Sequence, residues 1–331
     1  MIKTKSIITG GAGFIGSHLA DLLILEGHEV HIIDDLRGGH ISNISHLIGH
    51  ANLHFHEKNI LEINNESDIF KNVNFIYHLA GIGDIVPSIE KPEEYFEVNV
   101  QGTVKVLEAA RKNQVDKFIY AASSSCYGIA STPTSEKNSI SPQYPYAMSK
   151  YLGEEVSFHW HKVYGLPVNS ICIFNAYGPR VKTTGAYGAV FGVFLKQKLS
   201  GTPLTVVGDG SQTRDFIHVK DVARAFLAAS YSKHVGERFN IGGGNPKSIN
   251  QLVEIIGGEK TFIPKRPGEP DETFADISKA KNLLNWEPKI SFHEGVKEMI
   301  DCINDWESAP LWDPTTIKEA TSTWFKFMSK D

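Results

Sequence analysis

The stretch that decides the fold is Thr9-Gly10-Gly11-Ala12-Gly13-Phe14-Ile15-Gly16. A short apolar run at residues 6–9 leads into it, and apolar residues within 15–23 recur at the i, i+4, i+7 and i+8 spacing of one helix face. This pattern predicts a strand, a tight glycine turn and an amphipathic helix. Glycine permits the turn and lets backbone N–H groups approach an anion, which the helix N-terminus also favours.

The spacing of these glycines is typical of a dinucleotide-binding turn, because both G-x-x-G-x-x-G and G-x-G-x-x-G are present. Asp34 follows Gly16 by 18 positions and ends a second predicted strand at 30–33. Such a carboxylate accepts a hydrogen bond from a ribose 2′-OH and repels a 2′-phosphate, which favours NAD over NADP. The alternative is an ordinary glycine loop with a helix-capping Asp34, but the strand-turn-helix context favours the dinucleotide.

The strand and helix patterns alternate through the first half of the chain. Further strands are predicted at 53–55, 75–79, 117–120 and 168–174. This alternation predicts an α/β fold with a doubly wound parallel Rossmann sheet. After residue 174 the sequence becomes richer in glycine, proline and longer helical patterns, with short predicted strands at 204–207 and 239–241. We therefore expect an NAD-binding domain at 1–175 and a smaller, mainly substrate-binding α/β domain at 176–331, with segments around 208–242 returning to the first domain.

Composition excludes several classes of protein. The 331 residues are 41% hydrophobic and 21% charged, with 33 Lys+Arg against 38 Asp+Glu. This is an ordinary globular composition, and the mildly acidic balance argues against nucleic acid or an anionic membrane as the main partner. The N-terminal residues show no secretory signal pattern, and no apolar stretch is long enough for a membrane span. We expect a cytoplasmic protein.

The metal-ligating residue types follow no metal-binding pattern. The three cysteines, Cys126, Cys172 and Cys302, have no CxxC spacing, so neither a disulfide framework nor a zinc site is expected, and a reducing compartment fits best. Among 14 histidines, His54 and His56 alternate on a predicted strand, without a third ligand nearby in sequence. We therefore expect no metal site.

A serine run and a tyrosine-lysine pair suggest redox chemistry. Ser123 to Ser125 end a predicted strand, and Tyr146 and Lys150, four apart, share a face of the next helix. A lysine ammonium and an oxidised nicotinamide can both lower the pKa of a tyrosine from about 10, making a base for a sugar hydroxyl whose oxygen Ser123 holds. Tyr-x-x-x-Lys alone is common on helix surfaces, but the glycine turn upstream favours the catalytic interpretation.

At this point the chain resembles a known family, the extended short-chain dehydrogenase/reductases, and within it the NAD-dependent epimerases and dehydratases of nucleotide sugars. The resemblance covers nearly the whole chain. Beside the motifs above, it is carried by His78-Leu79-Ala80-Gly81, Asn99-Val100-Gln101-Gly102-Thr103, Asn175-Ala176-Tyr177-Gly178-Pro179-Arg180, Arg214-Asp215-Phe216-Ile217-His218-Val219 and Arg266-Pro267-Gly268-Glu269.

The resemblance implies a role for each matched residue. Tyr146 is the implied base, Lys150 contacts the nicotinamide ribose and Ser123 contacts the reacting hydroxyl. The implied NAD contacts are Gly10, Gly13, Phe14, Ile15, Gly16, Asp34, Asn59, Ile60, Leu79, Ala80, Gly81, Asn99 and Lys150. The implied substrate contacts are Asp84, Ser124, Ser125, Asn175, Ala189, Val190, Arg214 and Arg266, of which Asn175 and the two arginines meet the diphosphate. Arginine suits that task, since its guanidinium fork matches phosphate oxygens.

The resemblance also bears on the reaction. The 4,6-dehydratases of the family carry an Asp-Glu pair where this chain has Ser124 and Ser125, and hydroxyls are poor bases near neutral pH. The decarboxylating relatives carry a Glu that is also missing. We therefore expect a 4-epimerase of UDP-hexoses or UDP-N-acetylhexosamines. The open alternatives are a 4-dehydrogenase that releases a keto sugar, a disfavoured dehydratase and a non-catalytic nucleotide sensor, against which the intact Ser123, Tyr146 and Lys150 count.

Three further features stay open. Asp84 stands where related epimerases often have Ser, so it either binds or titrates near the sugar or is a solvated loop residue. A homodimer is expected by analogy, through helices at 94–113 and 148–164. The tail is unusually aromatic; packing on its own domain is the ordinary expectation, and a subunit contact or a pocket cover are the alternatives. Its aromatic and apolar residues are Trp306, Trp312, Ile317, Trp324, Phe325 and Phe327.

Overall fold

The computed structural model describes residues 3–64, 67–183 and 190–328. Within these ranges the strands are β1 (Lys5–Thr9), β2 (Glu29–Asp34), β3 (Leu53–Glu57), β4 (Phe75–His78), β5 (Lys117–Ser123), β6 (Val168–Ile173), β7 (Ala176–Tyr177), β8 (Leu204–Val207), β9 (Thr213–Arg214), β10 (Ile217–His218), β11 (Glu237–Ile241), β12 (Lys247–Ser248) and β13 (Lys260–Ile263). The helices are α1 (Phe14–Leu25), α2 (Ile85–Glu90), α3 (Pro92–Phe96), α4 (Thr103–Lys112), α5 (Pro145–Tyr164), α6 (Val190–Leu199), α7 (Val219–Tyr231), α8 (Ile249–Ile256), α9 (Ser278–Leu284), α10 (Phe292–Asp301), α11 (Pro314–Ala320) and α12 (Ser322–Met328).

The large sheet confirms the predicted doubly wound fold. Its seven strands run in the order β11-β6-β5-β4-β1-β2-β3, and every neighbouring pair is parallel. The order reverses at β1, between β2 and β4, which is where folds of this kind bind ligands at the carboxyl ends of the strands. The glycine turn after β1 therefore lies beside the loop that follows β4.

The central strands are buried because helices cover both faces of the sheet, as is usual for parallel sheets. The apolar side chains of β1, β4 and β5, including Ile7, Ile76 and Ile119, are fully buried. Helix α1 begins at Phe14, directly after Gly13, so its N-terminus faces the same sheet edge. The first strand and the first helix are thus where the glycine pattern predicts them.

A second apolar cluster is separate from the sheet and is built by residues of α6, β8, α8 and α10. Phe194, Val206, Leu252 and Met299 are buried there. The strand predicted at 239–241 does not belong to this smaller unit. It is β11, which pairs with β6 at the edge of the large sheet. The division at residue 175 stays a prediction.

The helical pattern around residues 96–107 is interrupted. Helix α3 ends at Phe96, a π-helical turn covers Glu97–Gly102, and α4 begins at Thr103. π-Helical turns are rare in proteins, and those that occur are often found at functional sites. This one carries Asn99. Across the described ranges, no helix combines the length and the apolar character that crossing a bilayer requires.

Candidate active site

The glycine turn forms a bare backbone cradle. Gly10 has a φ of +73°, and its N–H donates to the Ile33 carbonyl at 2.8 Å. A Cβ on Gly10 would lie 2.7 Å from the Ala80 nitrogen, and one on Gly16 would lie 2.2 Å from the Gly10 oxygen. Side chains cannot be accommodated at either position, so the helix N-terminus stays open to an anion such as a pyrophosphate.

Asp34 is held against this turn. It is buried, one carboxylate oxygen accepts the Ala12 N–H at 2.9 Å, and the other accepts the Leu36 N–H at 2.8 Å. Burial raises the pKa of Asp34, and the two backbone hydrogen bonds oppose that rise. The carboxylate is thus fixed beside the cradle, where its remaining lone pairs suit ribose hydroxyls. The residues present therefore fit NAD.

Most of the predicted site residues line one cavity of about 900 Å3. The predicted NAD contacts on its wall are Gly10, Gly13, Phe14, Ile15, Gly16, Asp34, Asn59, Ile60, Leu79, Ala80 and Gly81. The predicted catalytic and substrate-binding residues on the same wall are Ser123, Ser124, Ser125, Tyr146, Asp84, Asn175, Val190, Arg214 and Arg266. Ala189 lies outside the described residues. The fold thus collects residues from positions 10 to 266 around one space.

The NAD contacts predicted for Asn59 and Asn99 stay predictions, and the structure shows what each side chain contacts within the protein. The Asn59 side-chain oxygen accepts the Leu61 N–H at 2.9 Å. Asn99 is buried and does not line the cavity; its amide exchanges hydrogen bonds with the Ile82 backbone and donates to the Ser149 hydroxyl at 2.9 Å. Asn99 therefore positions the loop after β4 against helix α5.

Tyr146 and Ser123 face the same part of the cavity. Tyr146 begins the first turn of α5, and its ring lies 6.4 Å from the ring of Tyr95, edge to face. Ser123 ends β5, and its hydroxyl lies 2.8 Å from that of Ser125. Burial raises the pKa of Tyr146, while a hydrogen-bonding interaction with Ser123 lowers it. The two side chains can therefore share a proton with one substrate oxygen.

The prediction that Lys150 and an oxidised nicotinamide together lower the pKa of Tyr146 stays a prediction. The Lys150 ammonium lies 4.5 Å from the centre of the Tyr120 ring, and burial lowers the pKa of Lys150 to about 8. Among the protein groups, burial is the main cause of the raised pKa of Tyr146. Lys150 still lies near the cofactor loop, because a Cβ on Gly81 would be 3.7 Å from its Nζ.

The predicted diphosphate residues gather at the other end of the cavity. Arg214 donates to one oxygen of Glu269 at 2.9 Å, and Arg266 lies 3.1 Å from the other oxygen. Asn175 accepts a hydrogen bond from the Thr273 hydroxyl at 2.8 Å. Two guanidinium groups that converge on one carboxylate leave one net positive charge on this wall, which suits phosphate oxygens. Glu269 belongs to a motif noticed in the sequence, but its pairing with both arginines was not anticipated.

Asp84 lies on the cavity wall at the start of α2. Its backbone carbonyl accepts the Tyr95 hydroxyl at 2.7 Å, and its carboxylate lies 4.0 Å from the Lys182 ammonium. The negative charge of Asp84 raises the pKa of Tyr146 and of Tyr95. The carboxylate is therefore electrically coupled to the predicted base, while its partial exposure also fits a solvated residue.

Two aromatic residues of the site were missed. Tyr144 stacks on Tyr146 with ring centres 6.4 Å apart, and its hydroxyl interacts with Ser125. Trp324, from α12, lies 6.0 Å from the Tyr144 ring and lines the cavity. Tyr144 stands two residues before Tyr146, and the aromatic tail was visible in the sequence. Neither signal indicated that the two residues meet.

The histidines of β2 and β3 form a cluster that the sequence spacing did not suggest. Strand pairing places His31 opposite His54, and one ligand atom each of Glu29, His31 and His54 lies within 4.8 Å of the others. The His31 and His54 rings stack with centres 4.5 Å apart and an interplanar angle of 27°. A metal lies in the plane of each imidazole that binds it, so stacked rings direct their lone pairs side by side. This geometry does not converge on one ion.

Comparison with known proteins places the chain in a family. The family described as GDP-mannose 4,6 dehydratase matches residues 7–299. A UDP-glucose 4-epimerase from Mycolicibacterium smegmatis is 34% identical over 307 residues, which cover 90% of this chain and 97% of that protein. The crystal structure of a UDP-glucuronic acid 4-epimerase from Bacillus cereus, in complex with UDP-glucuronic acid and NAD, is 34% identical, with a TM-score of 0.85 and coverage of 91% and 99%.

A UDP-N-acetylglucosamine 4-epimerase from Methanobrevibacter ruminantium, in complex with UDP-N-acetylmuramic acid, is 30% identical, with a TM-score of 0.86 and coverage of 93% of this chain and 99% of that one. Decarboxylases and a 4,6-dehydratase of nucleotide sugars are also among the similar proteins. The match extends over most of this chain and nearly all of each relative. The chain belongs to the GDP-mannose 4,6-dehydratase family, a branch of the short-chain dehydrogenase/reductases that its motifs resemble.

Proposed function

We propose that this protein is an NAD-dependent nucleotide-sugar 4-epimerase and that its substrate is a UDP-sugar. The observation that carries the proposal is the shared cavity. One end has the glycine cradle and Asp34, the other end has Arg214 and Arg266, and Tyr146 with Ser123 stands between them. A hydroxyl of a sugar held by its diphosphate would reach the phenol of Tyr146. The relatives crystallised with UDP-sugars, one of them also with NAD, support this substrate class.

NAD would be held by the cradle of Gly10 to Gly16 and by Asp34, with Lys150 behind the loop at Gly81. When bound there, NAD would supply a hydride acceptor for sugar carbon 4 and the hydride for re-reduction on the opposite face of that carbon, and its positive charge would favour the ionised form of Tyr146. The protein supplies the proton transfer. The Tyr146 oxygen takes the proton of the 4-hydroxyl and later returns it, while Ser123 and Ser125 orient that oxygen through their linked hydroxyls, 2.8 Å apart.

Epimerisation is favoured over dehydration by what surrounds Tyr146. The positions after Ser123 carry hydroxyls, and Ser125 is already engaged with Ser123 and Tyr144. Neither hydroxyl has the basicity to remove a carbon-bound proton near neutral pH. Within the described part of the cavity wall, the carboxylate coupled electrically to Tyr146 is Asp84. An Asp84→Asn variant that still epimerises would show that the reaction needs no acid or base there.

The decisive experiment is product analysis by NMR. Purified protein is incubated separately with UDP-glucose, UDP-glucuronate, UDP-N-acetylglucosamine and GDP- and CDP-sugars. We expect a 4-epimer of a UDP-sugar to accumulate without net NADH. A stable 4-keto product with stoichiometric NADH would select the 4-dehydrogenase instead, and a 4-keto-6-deoxy sugar would select the dehydratase.

We also propose a homodimer in the cytoplasm. Helix α5 packs against α4 and exposes Met148, Val163 and Tyr164, which are 37%, 52% and 52% accessible. Exposed apolar residues on one helix of a packed pair suit a symmetric contact with a second copy. The cysteines at 126, 172 and 302 are free thiols, which fits a reducing compartment. Light scattering on the eluted protein tests the dimer, and the mass of a single chain would refute it.

A further inference from the structure

The C-terminal helix α12 lies beyond residue 299, where the match to the family ends. Of its residues, Trp324 is buried, with 5% of its surface accessible, whereas Phe327 is 47% exposed. The helix therefore presents Trp324 to the protein and Phe327 to solvent. This difference provides a natural pair of residues, one facing the cavity and one not.

Trp324 lies between Arg266, predicted to contact the diphosphate, and Tyr144, which stacks on the predicted base. Its indole N–H donates to the Pro267 carbonyl at 2.8 Å, and the Arg266 guanidinium lies 5.9 Å from the centre of its ring. On its other side the Tyr144 ring is 6.0 Å away, and Tyr144 stacks on Tyr146. The order along the wall is thus the arginine for the diphosphate, the indole, and then the tyrosines at the reacting carbon.

Helix α12 is anchored to both sides of the cavity, which fixes the indole in place. The Thr323 hydroxyl donates to Glu90 of α2 at 3.1 Å. At the other end, a Cβ on Gly268 would lie 3.4 Å from the terminal methyl of Met328, so the helix also rests on the loop that carries Arg266. An aromatic ring held at both ends loses little conformational freedom when a ligand arrives, which favours a binding role.

We propose that Trp324 is a specificity-determining residue, whose indole forms the wall of the subsite for the sugar ring. This inference rests on the proposed function, because it assigns the sugar to the space between Arg266 and Tyr146. The accessible part of the indole lines the cavity, and the bulk of the ring limits which substituents the sugar carries on that side. The uridine end is not expected to depend on Trp324.

The test compares Trp324→Ala and Trp324→Phe with Phe327→Ala as the matched control on the same helix. Calorimetry measures binding of UDP, UDP-glucose and UDP-N-acetylglucosamine, and absorbance measures NAD bound per chain. We expect Trp324→Ala to weaken sugar-nucleotide binding by about tenfold or more, to change UDP binding by less than about threefold, and to shift the preference between the two sugars. Trp324→Phe should recover part of the loss, and Phe327→Ala should resemble the wild type.

Unchanged sugar-nucleotide binding and preference in Trp324→Ala would overturn the inference, and so would an equal loss of UDP and UDP-sugar. If Trp324→Ala does not fold, Trp324→Phe decides, because a wall residue predicts a changed preference between the sugars with UDP binding kept. The binding data stand apart from turnover. If the wild type epimerises and the variants bind like it, the inference fails alone; if the wild type epimerises no nucleotide sugar, the proposed function fails while the binding comparison still tests the wall.

Discussion

Replacing Lys150 by methionine should make the folded protein more stable while removing its activity. Lys150 is buried, and its ammonium lies over the Tyr120 ring. Burial lowers its pKa from 10.5 to about 8. At about 1.4 kcal/mol for each pH unit, folding thus penalises the charged lysine by about 3 kcal/mol. Methionine has a similar length and no charge to bury.

The direction in which stability changes with pH follows from the number of protons that Lys150 binds in the folded and unfolded states. The unfolded chain keeps the Lys150 proton up to about pH 10.5, whereas the native protein loses it near pH 8. Between these values the unfolded state binds more protons, so the stability of the wild type rises with pH. The advantage of Lys150→Met is therefore full below about pH 8, at about 3 kcal/mol, and falls below about 1 kcal/mol at pH 10.

The assay is urea denaturation of dinucleotide-free protein at pH 7 and at pH 10. Lys117→Met is the control, because Lys117 is also buried but its ammonium donates to the carbonyls of Ser232 and His234 at 2.7 and 3.1 Å. Its loss leaves the Ser232 carbonyl without this donor, whereas the His234 carbonyl keeps the Asn169 amide at 2.8 Å, and should cost about 1–3 kcal/mol. The reasoning about Lys150 is refuted if Lys150→Met is less stable than the wild type at pH 7, or if its advantage is the same at both pH values.

Other substitutions test the remaining parts of the site and the core. Tyr146→Phe should keep bound NAD and lose about 10²–10⁴-fold in kcat, because only the transferable proton is removed; activity near the wild-type rate would reject Tyr146 as the base. Gly16→Ala should abolish NAD binding, since its Cβ would lie 2.2 Å from the Gly10 oxygen, and NAD still bound to purified protein would contradict the cradle. Arg238→Met should lower the free energy of unfolding by about 3–5 kcal/mol. The reason is that the fully buried Glu154 carboxylate loses its Arg238 partner, which lies 2.8 Å away. A loss below about 1 kcal/mol in urea denaturation would count against a stabilising buried pair.

The features predicted well from sequence depend on residues that are neighbours along the chain. The glycine turn, Asp34 at the end of β2, and Tyr146 and Lys150 on one helix face all follow from local spacing. Backbone geometry makes such spacing informative, since a strand, a turn and a helix each fix the directions of nearby side chains. The parallel sheet followed from the alternation of these local units.

The features that were missed depend on tertiary contacts. The direction of the Lys150 ammonium toward Tyr120 is set by the packing of α5 on β5, and no spacing rule reports it. Glu269 meets Arg214 across 55 residues, and Trp324 meets Tyr144 across a still longer separation. Burial changes pKa values in the same non-local way, and the raised pKa of Tyr146 is an example.

The two separate apolar clusters have a consequence for how this enzyme scaffold can diversify. Under the proposed function, hydride and proton transfer depend on loops that extend from the sheet cluster, whereas many of the substrate contacts come from segments that extend from the smaller cluster. Mutations in the smaller cluster can therefore change the substrate preference without disturbing the residues that take part in oxidation and reduction of the substrate. A chimera that exchanges only that region between two relatives should catalyse the reaction of the parent that supplies the sheet and show the substrate preference of the parent that supplies the smaller cluster.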